Sequence, residues 1–437
     1  MYQAVIAPIK VRPHPNADKL AIGLVCNYQI VIARDSYADG DLVIFFPEGG
    51  CLTHEVAFHN NLYRKDKGVN KLPETYGYFD KDLRIRQIRL RGVVSEGFAL
   101  PLVALADIGD VTQLKAGDQL NVFNGIEICK KYETPATAIA KQILAKASTQ
   151  VKEVKEFAKI GDTANLRMMI DQIPVGSVIY ITEKIHGTSG RTGLIMTDVP
   201  ADPLPWWKKA WNYVTGTKAA STKRSYLNVS GTRNTICARS WAQPVIRPDG
   251  TEVPLTFRQE IHNDVSAVLK EGEVWYYEIV WVNSAGTSDF VQKLDLNDPE
   301  HKKLAKVFGT SMNYRYKTAP GQWRMWVYKV TQQNEQGHVV TLTYPQMAAR
   351  VSSLGYQPVP LVTTLVYDGN AEALKELLIR LDKGTSTIDP SHICEGWVLE
   401  VVHQLMHRVL KYKLAWFCEL EGISKNDPNL VDPEEIA

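Results

Sequence analysis

Thr182-Glu-Lys-Ile-His-Gly-Thr-Ser189 follows directly on the apolar run Val178-Ile-Tyr-Ile181. Alternating β-branched and aromatic residues predict a strand up to Thr182, so Lys184 stands at a strand end. Gly187 comes three residues later, where the absence of a Cβ lets the backbone pass close to a bound phosphate. A lysine amine placed in this way can serve as a nucleophile once it loses its proton. The Lys-x-x-Gly spacing alone also fits an ordinary surface lysine in a turn, so the rest of the chain has to decide.

Reading outward toward the C-terminus, further polar residues stand in or beside predicted strands. Arg239 lies in Cys237-Ala-Arg-Ser and Glu278 in Tyr276-Tyr-Glu-Ile-Val. Trp326 and Tyr328 share the run Arg324-Met-Trp-Val-Tyr-Lys-Val. Glu395-Gly-Trp-Val-Leu and Lys411-Tyr-Lys413-Leu then belong to a late pair of strands. This ordered set, over about residues 178 to 414, resembles the covalent nucleotidyltransferase superfamily of ligases and capping enzymes. The wording Glu-Lys-Ile-His-Gly-Thr resembles its RNA-ligase branch, because DNA ligases and capping enzymes usually carry Asp where His186 stands. Three positions depart from the pattern: Ser189 where close relatives have Asn, Tyr277 where Gly is common, and Lys329 where Asp is usual.

The resemblance implies a lysyl-AMP intermediate on Lys184, with ATP and a divalent metal, Mg or Mn, as cofactors. It implies that Lys411 and Lys413 hold the α-phosphate and that Glu395 acts at the metal. Glu278 matches the position that bonds ribose hydroxyls, and Arg239 the arginine on the sugar–phosphate side. Either Tyr328 or Trp326 stacks on adenine, while Glu183 accepts from its amino group. Electrostatics agrees with this division of labour. A free lysine has a pKa near about 10.4, and nearby positive charge disfavours its ammonium form. Lys411 and Lys413 alternate on one strand, share a face, and can supply that charge.

Residues 1–130 read differently, as short strands separated by turns. Val25-Cys-Asn-Tyr-Gln-Ile-Val-Ile-Ala and Asp41-Leu-Val-Ile-Phe-Phe are such runs. Leu83-Arg-Ile-Arg-Gln-Ile-Arg-Leu-Arg-Gly alternates, with a phase slip at Gln87 that predicts a bulge. Several short strands with few helices suggest a small barrel. His14-Pro-Asn-Ala-Asp-Lys-Leu resembles a stretch of OB-fold tRNA-binding modules. Gly40-Asp-Leu-Val-Ile-Phe-Phe-Pro-Glu and Ile88-Arg-Leu-Arg-Gly-Val-Val-Ser-Glu-Gly resemble the N-terminal domain of one nick-sealing RNA-ligase family. The expected fold is therefore α+β: an OB-type β-barrel over 1–130, a helical linker over 131–175, a mixed antiparallel-sheet nucleotidyltransferase (adenylation) domain over 176–420, and an acidic tail over 421–437. Within the adenylation domain, Ala371–Leu381 is predicted helical, with Asn370 as N-cap and Leu374, Leu377, Leu378 and Leu381 as the apolar face.

Composition sets the outer limits. Of 437 residues, 45% are apolar and 22% charged, as in a water-soluble globular chain, and no run is apolar enough to predict a membrane span. Six scattered cysteines without a Cys-x-x-Cys pair argue against a thiolate zinc site and for a reducing, cytoplasmic setting. The net charge of +2 is uninformative, but residues 203–248 hold eight Lys or Arg and no Asp or Glu. Lys208 and Lys209, beside Trp206, Trp207 and Trp211, suit nucleic-acid contact; a helix packing its tryptophans on the core is the competing reading. Arg84, Arg86, Arg89 and Arg91 are candidates for gripping a duplex backbone. His54 and His59 are spaced one residue too far apart for a His-Glu-x-x-His metal pair. The partner expected is RNA or an RNA-containing nicked duplex, bound by a monomer. The alternatives are a DNA ligase, an RNA-capping guanylyltransferase, or a binding protein with a degenerate catalytic domain. Every nucleotide-handling motif lies beyond Thr134, so the first chemical step is expected to need nothing from the barrel.

Overall fold

The structure is a computed structural model that describes residues 2–147 and 159–425, apart from 202–204, 207–214, 216–221, 234–235, 238–244, 247–251, 254–256 and 298, together with 154, 156, 157 and 428. The N-terminal unit is built on a four-stranded antiparallel sheet in the order Gln119–Leu120, Ala4–Pro8, Leu42–Pro47, Gly97–Pro101. Its two central strands are apolar on both sides because both faces are covered. Ala4, Ile6, Ile44, Phe46 and Leu100 pack into one core, and Val5, Ala7, Val43, Phe45 and Ala99 into the other. A second sheet, Lys10–Pro13, Leu20–Val25 and Tyr28–Ala33, curls against the first. Glu96 N–H donates to Gln29 O at 2.8 Å and Val31 N–H to Ser95 Oγ at 3.0 Å, which helps close the barrel.

Two of the expected barrel strands are not single strands. Cys26 and Asn27, with φ of 50° and 63°, form a two-residue turn between Leu20–Val25 and Tyr28–Ala33. This turn wants positive φ at both central positions; neither residue is glycine, so the apolar run looked continuous. The stretch from Leu83 likewise holds only Ile88–Leu90 as a strand, which turns at Arg91-Gly92 to pair with Val93–Ser95. Arg84 makes an isolated bridge to Cys51, and no bulged long strand exists there. His14 and Asn16, from the tRNA-binding-like motif, fasten this hairpin. Asn16 Nδ2 donates to Arg91 O at 3.0 Å, and His14 Nε2 lies 3.3 Å from Leu90 O.

Two larger sheets build the C-terminal unit. One has six antiparallel strands in the order Ile236–Cys237, Thr222–Thr232, Thr188–Pro200, Glu273–Trp281, Trp323–Gln333, Val339–Thr341. The other has five: Ala164–Asn165, Met406–Lys413, Gly396–His403, Val178–Glu183, Leu361–Val366, with the first pair parallel. Its helix Ala371–Leu381 matches the periodicity, with Asn370 accepting the Ala373 N–H at 3.0 Å. In the segment between the units, the helix Pro135–Ala147 leaves Ile139 and Ile143 exposed, while Phe157 is buried against Ile195 and Val229. The helix Ala415–Ser424 runs across position 421, so Glu421 belongs to a helix rather than to a tail.

Arginines join the two units. Arg167 forms a 2.6 Å ion pair with Glu96 of the barrel and lies over the rings of both Tyr28 and Tyr412. Arg84 donates to Gly422 O at 2.8 Å and stacks on Tyr132. Arg89 pairs with Glu419 at 3.0 Å and lies over Trp416. Arg84 is buried and engaged within the molecule, so the expectation that it grips a duplex is corrected; Arg89 is exposed beside its partners. Arg86 lies 3.9 Å from Asp80, and Arg91 is exposed on its turn. Among the described residues, no helix is long and apolar enough to cross a membrane.

Candidate active site

Strand register assembles the site. Val178–Glu183 pairs with Gly396–His403 so that Glu183 faces Trp397, and Lys184 N–H donates to Gly396 O at 2.9 Å. On the other side, Gly396 faces Lys413. Three adjacent strands therefore bring Lys184, Glu395 and Lys413 to one row. Lys184 Nζ lies 2.7 Å from Glu395 Oε1, Lys413 Nζ lies 3.6 Å from the same oxygen, and His186 Nδ1 lies 3.5 Å from Oε2. Glu395 is fully buried, not the surface carboxylate that a strand end could have offered. Burial pushes its carboxyl up, but Lys184, His186 and Lys413 outweigh that and hold it below the usual carboxylate range. An ionised carboxylate survives burial only with such partners.

His186 occupies an aromatic box, with ring centroids 4.4 Å from Phe290, 4.9 Å from Phe417 and 5.0 Å from Tyr314. Gly187 is demanded by a neighbour as much as by any ligand. A Cβ there would lie 2.5 Å from Ile279 O, because the strand Glu273–Trp281 passes directly against it. That contact carries the chain from the five-stranded sheet into the six-stranded one, where Ser189 faces Glu278 and donates to its Oε2 at 3.0 Å.

The row opens into a cleft of about 900 Å³. Glu183, Lys184, Glu278, Tyr328, Lys411 and Lys413 line it. The two aromatic candidates separate here. Tyr328 is the extra residue where the register shifts between Tyr276 and Tyr277, and it reaches the cleft. Trp326 is 2% exposed and packs in the core beside Tyr316, so the stacking option at Trp326 is withdrawn. Glu183 Oε2 accepts from the backbone N–H of Thr387 at 2.8 Å and from its hydroxyl, which leaves the buried Oε1 as the oxygen that could accept from a ligand. Arg239, Lys208 and Lys209 lie outside the described residues. Within the same basic segment, Trp206 is 81% exposed, and Lys223 and Arg224 are exposed on the hairpin arm Thr222–Thr232.

Sequence reasoning missed part of the wall. Tyr276 and Lys329 line the cleft, with the Lys329 ammonium 5.0 Å over the Tyr276 ring. Burial lowers the Lys329 pKa. Asp162 and Arg233 also line it and form an ion pair. The barrel contributes Glu48, Arg84, Arg86 and Lys131. Lys329 was noted only as a departure and Arg84 and Arg86 only as duplex contacts; Glu48, Arg84, Arg86 and Lys131 reach the cleft through the packing of one unit on the other, and Tyr276 and Lys329 through the pairing of their two strands.

The family model for an OB-fold domain matches residues 4–102. No curated protein matches the chain in sequence. Among solved structures, Naegleria gruberi RNA ligase is similar over nearly its full length. A variant with ATP and Mn is 14% identical, with 95% of this chain and 98% of that chain covered at a TM-score of 0.57. The same protein with PPi is 15% identical, with 95% and 97% covered at a TM-score of 0.58. A likeness at this identity shows the fold: α+β, an OB-fold domain followed by the mixed-sheet unit of an RNA ligase.

Proposed function

We propose that the chain is an ATP-dependent RNA ligase that works through a covalent AMP adduct on Lys184. The observation that carries the reading is the row of Lys184, buried Glu395 and Lys413 at a cleft lined by Glu278, Tyr328 and Lys411. The Naegleria structures of the same fold, solved with ATP, AMP and Mn, support ATP and a divalent metal as its cofactors. The residues present fit such an ion. Glu395 is one ionised, buried carboxylate, and Mg or Mn in nucleotide sites takes one or two carboxylates plus phosphate oxygens. Among the described residues, no cluster of three or more His, Cys, Asp or Glu forms a cage without the nucleotide. The metal's contribution would be to neutralise phosphate charge in the transition state.

In the first step Lys184 gives its ammonium proton to solvent, and the neutral amine attacks the α-phosphorus of ATP. A nitrogen–phosphorus bond forms, the bond to the β-phosphate oxygen breaks, and pyrophosphate leaves. Lys411 and Lys413 supply positive charge to the phosphates from one strand face. Tyr328 stacks on the base, while Glu278, steadied by Ser189, accepts from the ribose hydroxyls. In the second step a 5′-phosphate oxygen takes the AMP from Lys184. In the third a 3′-hydroxyl attacks that activated phosphate, and AMP leaves. The substrate is an RNA end, at a nick in a duplex, and the enzyme acts as a monomer in the reducing cytoplasm.

Intact-mass spectrometry after incubation with ATP or GTP tests the reading. The expected result is a gain of one AMP on the wild-type chain, none with GTP, and none on Lys184→Ala. An AMP-sized gain on folded Lys184→Ala would remove the central claim, and a GMP adduct would favour a capping enzyme. Lys184→Ala should still join ends already carrying a 5′-adenylate, because the last step does not use the nucleophile.

A further inference from the structure

The helix Ala415–Ser424 begins just past Lys413 and lends Cys418, Glu421 and Gly422 to the cleft wall. Glu421 Oε2 lies 2.7 Å from Lys413 Nζ, and its Oε1 lies 2.8 Å from Lys425 Nζ. Charges of alternating sign thus run from Lys184 through Glu395, Lys413 and Glu421 to Lys425.

Two ammonium groups in this series compete for one oxygen. Glu395 Oε1 is 2.7 Å from Lys184 and 3.6 Å from Lys413. Attraction between unlike charges strengthens as they approach. Without a second anion, Lys413 would be drawn in toward the oxygen that Lys184 already holds, away from the cleft. Glu421 is that second anion, and it is fixed in place. It stands on a helix that the barrel grips at Ala415 O through Gln87 and at Gly422 O through Arg84, each at 2.8 Å. Burial pushes its carboxyl up, but Lys413 and Lys425 outweigh this and hold it well below the usual carboxylate range.

We propose that Glu421 is a positioning residue for adduct formation, holding the Lys413 ammonium at the cleft and off Glu395. The proposal rests on the reading of Lys184 as the nucleophile. The alternative is that Glu421 occupies Lys413 only until a phosphate displaces it. The geometry favours positioning, because a second ammonium and a braced helix keep the carboxylate where it is.

The test is single-turnover adduct formation by the full-length chain across ATP concentrations. Glu421→Gln should lower the maximal rate about tenfold or more, and Glu421→Asp should restore part of it. In a Lys413→Ala background, Glu421→Gln should cost less than about twofold further, since residues that act through one another are not additive. Losses that multiply would overturn the proposal. So would a Glu421→Gln chain that keeps the wild-type rate while its half-saturating ATP concentration falls, the mark of a competing carboxylate. If Glu421→Gln does not fold, Lys425→Gln loosens the same carboxylate and should show the same non-additivity with Lys413→Ala; multiplying losses there would also overturn it. A wild-type chain that forms no adduct would defeat the reading of Lys184. A wild-type adduct with an unaffected Glu421→Gln would defeat this inference alone.

Discussion

Glu48 of the barrel lines the cleft with its Oε2 shut from solvent and without a hydrogen-bond partner. Burial pushes its carboxyl up to about 7; Arg167 and Lys413 oppose the shift and Glu96 adds to it. The unfolded chain releases that proton near the ordinary value of 4.5, whereas the folded chain keeps it to about 7. The folded state therefore binds more protons inside that window, and stability falls as pH rises through it. Glu48→Gln should match wild type near pH 5 and exceed it at pH 8 by about 1–3 kcal/mol, since a pKa unit is worth about 1.4 kcal/mol. Denaturant unfolding at both pH values checks this, and a difference that does not vary with pH would refute it. Residues like Glu48 were illegible in the sequence because burial and partners come from distant segments. Lys184, Glu395 and Lys413 were legible as a set, because each sits at a strand end or on a strand face beside recognisable neighbours. Trp326 and Tyr328 could not be told apart, since a register shift decides which of them reaches the cleft.

Strands Thr188–Pro200 and Glu273–Trp281 carry Ser189 and Glu278, and one of their cross-strand pairs is fitted tightly. Tyr277 faces Gly190 in the register, and its ring fills the space that a Cβ on Gly190 would need. Its hydroxyl bonds Thr192 Oγ1 at 2.7 Å. Tyr277 had looked like a departure from a glycine pattern; the strand opposite answers it with a glycine of its own. Tyr277→Ala should cost about 3–5 kcal/mol, as expected for emptying a buried aromatic site. Tyr277→Phe should cost about 1 kcal/mol, for the unpaired Thr192 hydroxyl. Equal unfolding midpoints for wild type and Tyr277→Ala would show that the pair is not holding the strands. Other elements were plainer in advance. The helix Ala371–Leu381 showed its apolar face and its N-cap because both signals are local. The hairpin turn at Cys26-Asn27 did not, because only Asn27 belongs to the usual turn residues and Cys26 beside it adopts the left-handed conformation without such a signal.

The two units share the cleft, so the barrel is not a detachable accessory. Arg86 and Lys131 stand on the wall of the same cleft as Lys184 and Lys411. The barrel also grips the helix Ala415–Ser424, through Arg84 to Gly422 O, Gln87 to Ala415 O and Arg89 to Glu419. That helix in turn holds Lys413 through Glu421. A chain beginning at Thr134 would lose the opposite wall and release the helix together. It would also lose the 2.6 Å ion pair of Arg167 with Glu96 and the packing of Arg167 on Tyr28, both made to the removed part. The expectation that adduct formation is independent of the barrel is therefore replaced by its opposite. The shortened chain should melt at lower temperature and form the AMP adduct at least about tenfold more slowly, a loss of about 1.4 kcal/mol or more in the barrier. Arg89→Ala in the full chain removes one grip on the helix and leaves the cleft wall in place. It should slow the adduct less than the truncation does. Melting curves and adduct rates for the three chains decide the matter. A shortened chain that keeps the full melting temperature and the full rate would mean that the barrel serves only the nucleic acid.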